Sequence, residues 1–154
     1  MKKPFESIAF LFLSAFFGVS IHAQPAKTPV DSLNIIVKEY YALNLKVFQE
    51  GSDITDINNL FKLLSDDFTY IHPKYGGNYT REDLYNGYVR NQKNGAYDGT
   101  ITDIEIINKI TGLNAVVVEK RFLEKHVDGI KKGDPEMTLF EFKAGKISRI
   151  FEYW

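Results

Sequence analysis

The apolar positions change period three times along the chain, and each change marks a different kind of element. From Ile8 to Ile21 the residues are almost wholly apolar (IAFLFLSAFFGVSI). After a short proline-bearing stretch, Ile36, Tyr40, Leu43 and Val47 recur at three- and four-residue intervals. That spacing predicts a helix with one buried stripe, capped at Asp31 or Ser32, running to about Glu50 and stopped by Gly51 in a left-handed C-cap. Ile57, Leu60, Phe61 and Leu64 repeat the pattern, predicting a second helix capped by Asp53 or Thr55. The segment 67–72 (DFTYIH) is aromatic and β-branched and reads as a strand ended by Pro73. Residues 74–79 (KYGGNY) read as a glycine turn. Thr80 with Asp83 resembles a capping box that opens a third helix from Arg81 to about Gln92. The remainder reads as four antiparallel strands over 100–110, 113–125, 135–143 and 146–154. The turns are Asn94-Gly95, Asp98-Gly99, Asp128-Gly129 and Ala144-Gly145. Helices first and strands last imply an α+β domain, with helices packed on one face of a curled antiparallel sheet.

The apolar run near the start belongs to a different argument. Lys2 and Lys3 precede it, and Ile21-His22-Ala23 offers a small residue before Gln24. This is the layout of a secretory signal peptide over 1–23, and the run is shorter than the roughly 20 residues a spanning helix needs. Export to the periplasm or beyond, without a permanent membrane anchor, is the expectation. Residues 24–30 read as a linker and 31–154 as one domain.

Composition narrows the partners. Lys and Arg number 19 against 20 Asp and Glu, a net charge of −1, and the two signs are mixed along the chain. A nucleic-acid partner is therefore not expected. The chain has no cysteine, so its stability must come from a packed core. Nine Tyr and 12 Phe provide large rigid surfaces for a core or for the walls of a small-molecule pocket.

Two segments carry a resemblance to a known family. Residues 64–73 (LSDDFTYIHP) are similar to the acidic-pair, strand, acid-or-His, Pro segment of the nuclear transport factor 2-like superfamily. Residues 145–154 (GKISRIFEYW) are similar to its terminal strand, and 79–84 (YTREDL) to the start of its third helix. The superfamily includes ketosteroid isomerase and the SnoaL-like polyketide cyclases. The resemblance implies a cone-shaped curved antiparallel sheet with three helices on its concave side, a pocket between them, and a homodimer built through the sheet. It also implies departures. His72 stands where the isomerase has its proton-shuttling aspartate, and Thr138 or Met137 stands where it has its oxyanion-stabilising acid. Neither can replace a protonated carboxylic acid, which argues against steroid isomerisation by that mechanism.

The candidate site follows from strand alternation, which sends Phe68, Tyr70 and His72 to one face, and Ile150, Glu152 and Trp154 to one face of the last strand. Histidine titrates near neutral pH, so His72 is the candidate general acid or base, with Tyr70 or Glu152 assisting. Phe68, Tyr40, Thr138, Phe140 and Trp154 are expected to contact a small apolar or aromatic ligand. The plainer alternatives are a His72 hydrogen-bonded to a loop carbonyl and an outward-facing Glu152. Glu119 and Arg121 share one face of the long strand and read as solvated, and Asp66 and Asp67 as local turn and capping residues. His126 falls in a hairpin and is expected to be exposed. His72 and His126 lack metal-ligand spacing, and no phosphate loop or nucleophile elbow is present, so neither a metal nor a cofactor is expected. Three functions remain open: a binding or accessory domain, a SnoaL-like cyclase, isomerase or hydratase, and a dimeric interaction module.

Overall fold

Three helices lead into, and interrupt, a seven-stranded sheet. The computed structural model describes residues 30–154. The signal segment 1–23, and the linker as far as residue 29, lie outside the described residues. The elements are α1 (Val30–Val47), α2 (Ile54–Phe61), β1 (Leu64–His72), β2 (Gly77–Thr80), α3 (Arg81–Lys93), β3 (Ile101–Thr111), β4 (Ala115–His126), β5 (Gly129–Lys132), β6 (Glu136–Lys143) and β7 (Lys146–Glu152). No helix among the described residues is long and apolar enough to cross a membrane.

The helix starts are written in local chemistry. Asp53 accepts from the backbone N–H groups of Thr55 and Asp56, and the Asp56 carboxylate returns the bond to the Asp53 N–H. Thr80 and Asp83 form the same reciprocal box at α3. Each box satisfies N–H groups that the helix itself cannot pair. Asp53→Ala is therefore expected to lower stability by about 1 kcal/mol, measurable by urea denaturation. Gly51 does take a left-handed conformation (φ 76°), but α1 has already ended at Val47.

The sheet order is β2-β1-β7-β6-β4-β3, with β5 attached to β4. It corrects the expectation of a wholly antiparallel sheet, because β1 runs parallel to β7. Alternation along a strand tells which face a residue occupies but not which strand lies beside it. Two strands are also additional. Residues 77–80, read as part of a turn, pair with β1, and 129–132 pair with the far half of β4. Between β5 and β6 the chain passes close to β4, where Gly133 donates its N–H to the Phe122 carbonyl at 2.9 Å. A Cβ at Gly133 would meet that oxygen at 3.3 Å, which favours glycine there. Register shifts in β1, β3 and the β6–β7 pair bend the sheet.

One face of the sheet and the helices share the core. Leu33, Val37 and Val47 of α1 and Ile57, Leu60 and Phe61 of α2 pack on Phe68, Val116, Val118, Phe140 and Ile150. Tyr40 and Tyr41 meet the Phe140 ring edge-on, at 5.2 and 5.6 Å. Removing that ring leaves a void under both tyrosines, so Phe140→Ala is expected to cost about 3–5 kcal/mol, read as a lowered denaturation midpoint with unchanged slope. Helix α3 behaves differently, since none of its residues is fully buried. Leu84, Tyr85, Tyr88 and Val89 pack against the core, and the same helix lines a cavity.

Candidate functional site

Strand pairing lays the inward-facing side chains in rows. Tyr70 pairs with Ile150, Ile150 with Phe140, and Phe140 with Val116, making a row whose only hydroxyl is on Tyr70. The next row is polar at its centre: Glu152 pairs with Thr138, and Thr138 with Val118. Beyond it Glu136 pairs with Lys120. The chemistry therefore begins where the packed core ends.

Glu152, Thr138 and Lys120 are buried, Tyr70 and Glu136 partly so, and each is held by a partner. Glu152 is 6% exposed. Its Oε2 accepts from the Thr138 hydroxyl at 2.6 Å and from the Trp154 indole N–H at 2.8 Å, while Oε1 faces the Tyr70 hydroxyl at 3.5 Å. Lys120 is buried and ion-paired with Glu136, and its ammonium lies 4.1 Å from the Phe122 ring centre and 4.9 Å from that of Trp154. Burial pushes the Tyr70 phenol well above its ordinary range, with the Glu152 carboxylate adding to the effect, so it stays protonated. Tyr40 is raised in the same way, by burial first and then by Tyr70 and Glu152.

His72 is the exception. It is 2% exposed, yet neither ring nitrogen has a hydrogen-bond partner among the described residues. Its ring is packed by Tyr75 at 4.4 Å and edge-on by Trp154 at 4.5 Å. Burial holds its pKa below the ordinary histidine value, which keeps the imidazole neutral and leaves one nitrogen as an acceptor. The plainer expectation of a bond to a loop carbonyl is not met.

His72, Tyr70 and Trp154 line an open cavity of about 550 Å³ between β1 and α3, together with Tyr75, Tyr79, Tyr88 and Tyr97. Glu152 lies directly behind that wall, accepting hydrogen bonds from Tyr70 and Trp154, and Thr138 donates to Glu152 in turn. Tyr40 sits in the core against Phe140. Phe68 and Phe140, expected at the ligand, are core side chains outside this cavity's lining, because α1 and α2 cover the middle of the strands. Phe68 borders a separate open groove of about 780 Å³ with Asp66, Thr69 and Arg81. Asp67 is engaged by Ser65 and Lys143, at 2.7 and 2.5 Å, and His126 is exposed beside Glu124. Among the described residues no cluster of His, Asp or Glu is arranged to hold a metal ion.

Nothing in the local spacing singles out Lys120, Glu136 or the tyrosines of the far wall. Lys120 was legible in principle: it continues the Val116, Val118, Phe122 face, so a strand buried there must bury the lysine too. Tyr75 and Tyr79 stood in the segment read as a turn, where no periodicity gives a direction.

No family model matches the sequence, and no curated protein matches it. Solved structures do match in shape. A protein of Catenulispora acidiphila with a ketosteroid isomerase-like fold, in complex with trimethylamine, is 19% identical, with 77% of this chain and 84% of that one covered and a TM-score of 0.53. Bal32a, from a soil-derived mobile gene cassette, is 16% identical over 80% and 89%, with a TM-score of 0.58. A nuclear transport factor 2-like protein of Anabaena variabilis is 17% identical over 88% and 94%, with a TM-score of 0.55. The chain has the nuclear transport factor 2-like fold, the α+β architecture of ketosteroid isomerase-like proteins, with its mixed, unclosed sheet and three helices.

Proposed function

We propose that the domain binds a small molecule in the aromatic cavity, with His72 as its polar contact. The observation that carries this reading is a neutral imidazole in the cavity wall with both nitrogens unpartnered. A buried polar group without a partner costs about 1–3 kcal/mol, and a ligand that donates to it recovers that cost. Tyr75 shields the ring and is itself 62% exposed, so it can turn aside with little loss of burial. The trimethylamine carried by one structural neighbour supports a small-molecule role. A thermal-shift screen of small aromatic and amphipathic compounds tests it. Stabilising compounds are expected to lose their effect in His72→Ala. Compounds that stabilise both forms equally would place the site elsewhere.

A second reading is favoured by the same geometry. Neutral His72, with Tyr70 and Glu152 close by, is equipped to move a proton in a cyclase-, isomerase- or hydratase-type step. It requires that His72→Ala abolish turnover while the melting temperature stays within a few degrees.

The opposite face of the sheet supports homodimerisation. Ile110, Val117, Leu139, Phe151 and Ile71 pair successively across five strands and form one apolar row. Glu119 lies on one side of that row and the Glu141–Arg149 pair on the other. A second copy turned end for end sets the apolar rows together and brings Glu119 of each copy toward Arg149 of the other. Phe151→Glu is expected to give a monomer by light scattering. For the leader segment, the proposal is export with cleavage after Ala23, and N-terminal sequencing of the exported protein should begin at Gln24.

A further inference from the structure

Resting on the binding site proposed above, we infer that its ligand is a small organic cation, an amine or ammonium with an apolar body. Three features of the cavity wall point to a positive guest. The first is the balance of charge behind it. Lys120 is matched by Glu136, whereas Glu152 forms no ion pair among the described residues. A buried carboxylate lacking a counter-charge attracts one strongly, because little water is present to screen it.

The second feature is how that carboxylate is wired to the wall. Glu152 is one layer back and acts through the two side chains that bond to it. The Tyr70 hydroxyl directs its proton toward Oε1, leaving the phenolic oxygen's lone pairs for a donor in the cavity. The Trp154 indole N–H donates to Oε2, so the carboxylate pushes electron density toward the ring and makes its face more attractive to a cation. His72 adds a neutral nitrogen acceptor. An ammonium group donates and does not accept, and these three groups present acceptors or negative faces.

The third feature is that this wall already holds ammonium groups. Lys120 Nζ lies over Trp154 from the core, and Lys74 Nζ lies 5.4 Å from the same ring and 5.8 Å from that of Tyr75. The remaining tyrosines of the cavity extend the same kind of surface toward α3, where the exposed, oppositely charged side chains Asp83 and Arg90 complete the lining. Aromatic faces attract a cation most strongly where water is excluded.

Trp154 is the one tryptophan in the sequence, so its fluorescence reports the site alone. The test is a titration of the full domain with phenethylammonium, phenethyl alcohol and phenylacetate, which share a body and differ in charge, with calorimetry as a second readout. The expected result is that phenethylammonium binds about tenfold more tightly than the alcohol, with phenylacetate weakest. Glu152→Gln should bring the ammonium-to-alcohol ratio to about one, and Tyr70→Phe, which keeps the ring, should lower it independently. Equal binding of all three, or a preference for phenylacetate, would overturn the cation inference and leave the pocket standing. Binding of none would remove both.

Discussion

Glu136→Leu alone is expected to destabilise the protein by about 3–5 kcal/mol, and Lys120→Met combined with it to recover most of that loss. The reason is the position of Lys120. Its side chain is 3% exposed, between Phe122 and Trp154, and Glu136 is its ion-pair partner. Removing the acid strands an ammonium out of water, whereas removing both charges leaves two apolar side chains beside two aromatic rings. Chemical denaturation of the two single variants and the double variant gives the coupling directly. Near-equal stability of Glu136→Leu and the wild type would mean that Lys120 reaches solvent.

His72→Phe is expected to make the protein more stable, by about 1–2 kcal/mol, while weakening ligand binding at least about tenfold. A phenyl ring fills the space between Tyr75 and Trp154 and carries no unpartnered nitrogen. The pH dependence should change with it. The folded-state pKa of His72 is depressed by burial, so the unfolded chain takes up a proton at a higher pH than the folded one. The wild type therefore has this residue's full contribution above about pH 6.5. It loses that contribution as the pH falls from there through the depressed folded value. In His72→Phe the difference in stability between pH 7 and 5 should shrink. An unchanged acid-side slope would show that His72 is not the group being protonated. A residue that costs stability and is worth more to binding than to folding is what a functional site requires.

Much of this arrangement was legible in the chain. Apolar spacing located α1 and α2, the Asp53 and Thr80 boxes located two helix starts, and alternation put Tyr70 and His72 on one face. These are local signals, set by residues within a few positions of one another. What escaped was set by partners far away in sequence. The parallel β1–β7 pairing depends on which strand lies next to which, and no periodicity within either strand encodes it. Phe68 and Phe140 were expected at the ligand because they share an inward face with Tyr70 and Thr138. They are core instead, because α1 and α2 cover the middle of the sheet and the cavity lies between β1 and α3. Lys120 drew no assignment, since a lysine weighs as polar whatever face its strand position gives it.

The account turns on His72 holding a vacant nitrogen for a guest, and ¹⁵N NMR of the histidine rings tests that most directly. On saturation with whichever of the three phenyl probes binds most tightly, one ring nitrogen of His72 should shift as it accepts a hydrogen bond, while those of exposed His126 stay in place. Binding detected by calorimetry with no change at either His72 nitrogen would contradict it.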